Sequence, residues 1–166
     1  MMKILILSDT PRYHINYDKV LKREGKIDML IHLGDVEGGE YYIEETAGCP
    51  VHMVAGNNDI FSPLPKEEEF YIGTKKVFIT HGHYYYVSRG LERIITEGAK
   101  RGADIVMYGH THRPALDHVD RRDGKNMLIL NPGSVSYPRQ KDRRSTYIIM
   151  RIDDENEVDF EIKYVD

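Results

Sequence analysis

The chain of 166 residues is 40% hydrophobic and 30% charged, with a formal net charge of -4. This length suits one globular domain, predicted over residues 1–166, with a core that needs no crosslinks. The single cysteine, Cys49, excludes an intrachain disulfide, and the slightly acidic balance gives no clear nucleic-acid footprint. No segment approaches the roughly 18 apolar residues of a membrane span, so the sequence predicts a cytoplasmic protein without a membrane partner. The oligomeric state leaves no signal in the sequence.

Short apolar segments rich in β-branched residues alternate with weaker helical patterns as far as residue 113, and one more such segment follows at 127–130. Buried strands are predicted over residues 3–7, 29–33, 51–54, 76–80, 105–108 and 127–130, and helices over 16–24, 41–47 and 88–101, the last capped by Ser88. Beyond residue 113 the pattern favours antiparallel hairpins, with strands over 115–122, 126–130, 146–152 and 157–164. This arrangement indicates an α/β fold with two packed sheets.

Polar side chains that can bind a metal follow the ends of five predicted strands. The chain has eight histidines and one cysteine, so a metal site here would use nitrogen and oxygen ligands rather than sulfur. A single such residue usually belongs to a turn or to hydrogen-bonded packing, but turns do not require histidine again and again. Because the carboxyl ends of strands meet at one edge of a sheet, we expect the set to converge there. It consists of Asp9, Asp35, Asn57, His81, His110 and His112.

The motifs around these residues resemble those of the calcineurin-like metallophosphoesterase superfamily, in particular its small bacterial and archaeal phosphodiesterases. In chain order they read SDT, GDVE, GNND, HGH and GHTH, followed by NPGS, and the resemblance covers residues 3 to 150. It implies a four-layer α/β/β/α sandwich of two mixed sheets with a dinuclear metal site. Asp35 would bridge the two ions, Asp9 and His112 would bind the first, and Asn57, His81 and His110 the second.

The resemblance implies hydrolysis of a small phosphate ester, with a diester favoured. A hydroxide bridging two divalent cations would attack phosphorus, and no protein nucleophile is required. Nitrogen and oxygen ligands admit manganese, nickel, cobalt, iron or zinc, so the sequence selects neither the metal nor the natural substrate. Besides Asp35, we assign catalytic roles to Asn58 and to His83. By strand alternation His83 would point the same way as His81 and either support a ligand or contact the substrate.

Two positions depart from the family pattern. The Asp-x-His motif is Asp9-Thr10-Pro11 here, and Pro11 offers no side-chain ligand. Three alternatives follow: His14, or less readily Tyr13, replaces the missing ligand; water fills the position; or the first site is weak. Asn58 stands where a histidine often acts as a general acid, and an amide donates a hydrogen bond but delivers no proton at neutral pH.

These departures leave a second hypothesis open. The chain is alternatively a catalytically weak or inactive binding or scaffold protein on the same fold, but the six retained ligands favour an enzyme. Of the remaining histidines, His32 and His52 are expected in the core and His118 at the surface. The basic loop around Arg139 and Arg144 either is solvated or steers a phosphate, and the tyrosines at 84–86 either pack or line a substrate wall.

Overall fold

A computed structural model describes residues 1–10 and 14–166 of the chain. The helices are α1 (Ile15–Glu24), α2 (Glu40–Thr46) and α3 (Glu92–Lys100), with one 3-10 turn at His83–Tyr85. The strands are β1 (Met2–Leu7), β2 (Met29–His32), β3 (Val51–Met53), β4 (Glu67–Ile72), β5 (Lys75–Thr80), β6 (Ile105–Met107), β7 (Pro114–Asp120), β8 (Asn126–Pro132), β9 (Thr146–Ile152) and β10 (Val158–Tyr164).

The strands form two five-stranded mixed sheets. The first has the order β10-β9-β1-β2-β3, and the second has the order β4-β5-β6-β8-β7. In the first sheet β1, β2 and β3 run parallel, with Ile4 of β1 opposite Met29 of β2. In the second sheet β5, β6 and β8 run parallel, with Ile105 of β6 opposite Leu128 of β8. Antiparallel strands flank each parallel set.

The side chains of the central strands divide between two faces and define four layers. Along β1, Ile4 and Ile6 pack against the second sheet, whereas Leu5 and Leu7 pack beneath α1 and α2. In the second sheet Phe78 turns away from the sheet interface and packs against α3. Successive strand residues point to opposite faces, so strands covered on both sides read as continuous apolar runs. The predicted α/β/β/α sandwich of two mixed sheets is therefore confirmed.

The local predictions were wrong at two places. Strand β4 was not predicted, because its sequence begins with Glu67, Glu68 and Glu69 and so lacks an apolar pattern. Side chains from other elements stabilise these glutamates: Arg101 pairs with Glu67 and Glu69, and His52 pairs with Glu68 at 3.0 Å. Helix α3 begins at Glu92 rather than at residue 88, and none of the described side chains caps its start. The chain before it forms tight turns.

Among the residues that the structure describes, no helix has both the length and the apolar character needed to cross a membrane.

Candidate metal centre

The two sheets bring the predicted ligands together from opposite sides of one cleft. The first sheet supplies Asp9 after β1, Asp35 after β2 and Asn57 beyond β3. The second sheet supplies His81 directly after β5, and His110 and His112 after β6. These strands run parallel within their own sheets, so their carboxyl ends deliver the side chains to neighbouring edges.

Three of these side chains form a compact buried cluster. Each of Asp9, Asp35 and His112 offers one ligand atom, and these atoms all lie within 4.8 Å of one another. The residues are 3%, 5% and 8% exposed, respectively. Two carboxylates at this depth repel each other and lose their hydration, so burying them together requires a positive partner.

The hydrogen bonding of His112 leaves a ring nitrogen that can bind a metal facing Asp9. Nδ1 of His112 donates to the backbone carbonyl of Tyr137 at 2.6 Å, so Nε2 carries the lone pair in the neutral ring. Nε2 lies 2.9 Å from Oδ1 of Asp9, and this buried oxygen accepts no hydrogen bond from the described residues. A proton or a metal cation between these two acceptor atoms would remove their repulsion. A backbone carbonyl that orients the ring in this way is typical of metal-binding histidines.

His81 repeats this arrangement on the other side of the cleft. Its Nδ1 donates to the carbonyl of Leu33 at 2.6 Å, which again leaves Nε2 as the available ligand atom. Nε2 lies 3.0 Å from Oδ1 of Asn57 and 3.5 Å from Oδ2 of Asp35. Nδ1 of His110 also lies 3.0 Å from the same oxygen of Asn57. The donor set of oxygen and imidazole nitrogen therefore fits divalent transition metals.

The electrostatics of the cluster favour positive charge between the carboxylates. Burial lowers the pKa of His112, but the adjacent carboxylate of Asp9 outweighs burial and raises it. Burial likewise opposes the charged form of His81, and the carboxylates of Asp35 and Asp9 raise its pKa. Burial would raise the pKa of Asp35, but the hydrogen bond and charge of His81 lower it to about 2. Asp35 is therefore ionised at neutral pH.

The backbone at the ligands is held in an uncommon conformation. Asp9, Asp35, His110 and His112 have φ angles of 56°, 55°, 69° and 58°, all in the left-handed region. Residues other than glycine pay of order 1–3 kcal/mol for such conformations, and the conformations cluster at functional sites. An extended GHTH motif would lean both of its histidines one way by alternation, but the motif is not extended. Left-handed turns at both histidines direct their side chains instead.

Two glycines allow the loops around Asp35 to approach each other closely. Gly34 precedes it with a φ of +100°, and a Cβ on Gly34 would lie 2.7 Å from Nδ1 of His81. A Cβ on Gly56 would collide with the carboxylate of Asp35 and its backbone nitrogen. The glycines of the GDVE and GNND motifs are therefore required by the close approach of the two loops.

Asn58 and Asp59 hold these same loops together. The backbone N–H and the side-chain amide of Asn58 donate to the two oxygens of Asp35, at 2.9 and 3.0 Å. The buried carboxylate of Asp59 accepts backbone N–H groups from Val36, Glu37 and Gly56. Sequence reasoning did not single out Asp59. An acidic residue closing the GNND motif two residues after Asn57 was the available signal.

The NPGS motif supports the loops of the second sheet and the first. The side-chain amide of Asn131 donates to the carbonyl of Gly109 and to the hydroxyl of Thr111, at 3.0 and 2.9 Å. The hydroxyl of Ser134 donates to the carbonyl of Asp9 at 3.1 Å. The motif thus stabilises both the GHTH loop and the backbone at Asp9.

His83 lies beside the ligands, although not for the expected reason. Gly82 is left-handed and a 3-10 turn begins at His83, so strand alternation does not continue past His81. The ring of His83 nevertheless lies 5.4 Å from that of His81 and 6.1 Å from that of His110. Burial and the two neighbouring histidines lower the pKa of His83 to about 4. Its buried Nδ1 has no hydrogen-bond partner in the described part of the chain.

The position where a further ligand was expected, Pro11, lies outside the described residues, as does Tyr13. His14 is described, and its ring stacks on Tyr42 at 4.1 Å between ring centroids and packs against Gly39. It lines a second cavity rather than the one that contains Asp9, Asp35 and His112.

The other histidines have packing or surface positions. His32 is fully buried, receives the backbone N–H of Gly34 at Nδ1 and contacts the hydroxyl of Thr10 through Nε2 at 2.8 Å. Burial lowers its pKa to about 4. His52 is only half-buried, where it stacks on Phe70 at 3.7 Å, and His118 is exposed on β7.

A sandwich of two mixed sheets with a carboxylate–imidazole cluster between their edges is the arrangement of the metallophosphoesterase fold. The chain belongs to the calcineurin-like phosphoesterase superfamily, whose domain model matches residues 2–155. The chain is 33% identical over 150 residues to phosphodiesterase MJ0936 of Methanocaldococcus jannaschii, and the match covers 80% of this chain and 83% of that protein. The resemblance predicted from the motifs is confirmed.

Solved structures show the same fold. A predicted phosphoesterase from Streptococcus pneumoniae superposes with a TM-score of 0.77 at 26% identity, covering 98% of this chain and 97% of that chain. Vps29 of Entamoeba histolytica, solved in complex with zinc, superposes with a TM-score of 0.74 at 24% identity, covering 99% of this chain and 100% of that chain. The second likeness establishes the fold alone.

Proposed function

We propose that this chain is a metal-dependent phosphodiesterase that hydrolyses a small phosphate ester at a dinuclear site. The observation that carries the proposal is the buried cluster of Asp9, Asp35 and His112, in which acceptor atoms face one another. Two divalent cations, when bound, supply a hydroxide nucleophile and neutralise the phosphoryl oxygens.

The residues of the chain have separate roles in this proposal. Asp35, central in the cleft, would hold both cations, Asp9 and His112 would hold one of them, and Asn57, His81 and His110 would hold the other. Asn58 holds both oxygens of Asp35 and so keeps the bridging carboxylate in place. His83 contacts the substrate beside His81 and His110.

In the reaction, the oxygen of water bonds to phosphorus and the bond from phosphorus to the ester oxygen breaks. Asn58, which replaces the usual acid, has no proton to give at neutral pH. The leaving alkoxide or phenoxide therefore takes its proton from water. Esters whose alcohol has a low pKa are the better substrates, because they leave without general acid catalysis.

The test is the hydrolysis of bis-p-nitrophenyl phosphate after removal of metals by a chelator and addition of Mn²⁺ or Ni²⁺. Wild type should be inactive when stripped and active when reloaded. Asp35→Asn should lose turnover, whereas Asp117→Asn, an exposed carboxylate on β7, should behave as wild type. Failure of every divalent metal to support turnover, in a protein with wild-type folding, would favour the alternative of an inactive binding or scaffold protein.

A further inference from the structure

The loop from Ser136 to Arg143 lines the cavity that contains the side-chain cluster of Asp9, Asp35 and His112. This cavity has a volume of about 570 Å³ and contains Asp9, Asp35 and His112 together with Arg139 and Arg143 of the loop. Small-molecule sites commonly occupy about 300–1,000 Å³. The space is therefore large enough for a substrate that extends beyond one phosphate group.

The backbone of this loop is tied directly to a metal-binding residue. His112 donates through Nδ1 to the carbonyl of Tyr137 at 2.6 Å, and its own carbonyl accepts the backbone N–H of Arg139 at 3.0 Å. The hydroxyl oxygen of Ser134 accepts the N–H groups of Ser136 and Tyr137, at 3.1 and 2.7 Å. These hydrogen bonds fix the backbone of the loop relative to the cluster of Asp9, Asp35 and His112.

The two arginines of this loop and Arg144, which follows it, have different surroundings. Arg144 donates to the backbone carbonyl of Asp166 at 2.7 Å and lies over the ring of Tyr164 at 3.7 Å, away from the cavity. Arg139 and Arg143 are exposed in the cavity wall, and neither forms an ion pair with a carboxylate in the parts of the chain described. Glu37 also lines this cavity, but it lines the neighbouring cavity as well and marks the junction of the two.

We propose that Arg139 and Arg143 bind a second phosphate group, so that the preferred substrates are phosphodiesters bearing an additional phosphate beside the scissile one. This inference rests on the proposed function. The scissile phosphate belongs at the cations, whose ligands Asp9 and His112 are almost fully buried. Arg139 and Arg143 line the same cavity and are exposed, and a guanidinium presents paired donors that match phosphate oxygens.

The test compares two substrates that differ by one phosphate. Thymidine 5′-(p-nitrophenyl phosphate) and its 3′-phosphorylated form share the scissile bond and the leaving group. Wild type loaded with Mn²⁺ should have a higher kcat/KM for the 3′-phosphorylated form, by about tenfold. Arg139→Ala and Arg143→Ala should each reduce this preference severalfold, because kcat/KM should fall more for the 3′-phosphorylated ester than for the other ester. Arg144→Ala, the matched control, should keep the preference.

Binding of the products gives a second readout that does not depend on turnover. Calorimetry should show tighter binding of thymidine 3′,5′-bisphosphate than of thymidine 5′-monophosphate to wild type and to Arg144→Ala. The difference should shrink in Arg139→Ala and Arg143→Ala. Equal behaviour of all three variants would overturn the inference, and so would equal losses on both esters, which would place the arginines at the scissile phosphate. Absence of turnover in wild type would instead contradict the proposed function, while the calorimetry would still decide the role of the arginines.

Discussion

Nε2 of His112 lies 2.9 Å from Oδ1 of Asp9, while Nδ1 of the same ring is committed to the carbonyl of Tyr137. A neutral imidazole in this position points a lone pair at a carboxylate oxygen. Such a pair of buried acceptors is unfavourable by itself and becomes favourable when a cation lies between them. The geometry of these two residues therefore relates the fold to metal binding more directly than the motif pattern does.

Replacement of His112 should remove a metal ligand. We expect His112→Ala to weaken Mn²⁺ binding by at least about 100-fold, since even the loss of a residue that merely supports a ligand costs about 10–100-fold. His118→Ala is the matched control, because His118 is exposed on β7. Calorimetric titration of metal-free protein measures both variants, and equal affinities would contradict the role of His112.

Replacement of Gly56 should disturb the bridging carboxylate by steric contact alone. The new methyl group of Gly56→Ala collides with the carboxylate of Asp35, so we expect loss of most turnover and reduced metal affinity. Gly48→Ala provides the control: Gly48 has a φ of +66° but open space around it, so this variant should lose about 1 kcal/mol of stability and keep its activity. Hydrolysis of bis-p-nitrophenyl phosphate and thermal unfolding together separate the two effects.

Removal of the Asp59 carboxylate should loosen the loops that carry Asp35 and Asn57. Asp59→Ala leaves the N–H groups of Val36, Glu37 and Gly56 without their acceptor, which we expect to cost about 3 kcal/mol and to lower metal affinity.

A control for this variant exists in a remote hairpin. Asp153 accepts the N–H groups of Glu155 and Glu157, both at 2.9 Å. Asp153→Ala should therefore lose stability but bind metal as wild type does. If both variants change metal affinity equally, the effect of Asp59 is on global stability rather than on the site.

The buried carboxylate of Glu24 should make stability depend on pH in the acid range. Glu24 pairs with Lys3 at 2.8 Å and with Lys163 at 2.6 Å, and accepts the hydroxyl of Tyr147. Burial would raise the pKa of Glu24, but these partners lower it from 4.5 to about 2. The folded state thus holds the proton more weakly than the unfolded state, so the stabilisation is complete above pH 4.5 and is lost as pH falls towards 2.

This contribution amounts to about 3 kcal/mol from the size of the pKa shift. Urea unfolding between pH 6 and pH 2.5 should show a difference in stability between wild type and Glu24→Gln that shrinks as the pH falls. Glu161→Gln removes only an exposed pair with Arg151 and should change stability by less than about 1 kcal/mol. A difference between wild type and Glu24→Gln that stays constant with pH would contradict the assignment.

The sequence was most informative where a residue type that can bind a metal directly follows a strand. The side chains of Asp9, Asp35 and His81 could be assigned to the carboxyl ends of strands because each follows an apolar strand. The left-handed turns at His110 and His112 were not visible, because nothing in the local sequence distinguishes them from an extended segment. The contribution of Tyr137 could not be foreseen either, since it acts through a backbone carbonyl that every residue possesses.

Strand β4 escaped prediction for a related reason. Its glutamates are stabilised by partners far away in the chain, such as Arg101, which contacts Glu67 and Glu69. Tertiary ion pairing of this kind overrides the polar pattern that normally argues against a strand. The same limit applies to Asp59, whose importance depends on three N–H groups from two separate loops.

The measurement that tests the metal centre most directly is the metal content of dialysed protein by elemental analysis. After loading with Mn²⁺, wild type should retain at least one ion per chain through dialysis. Asp35→Asn, which loses the carboxylate shared by both parts of the site, should retain none. Wild type that retains no ion, or Asp35→Asn that retains as many ions as wild type, would contradict the proposed metal centre.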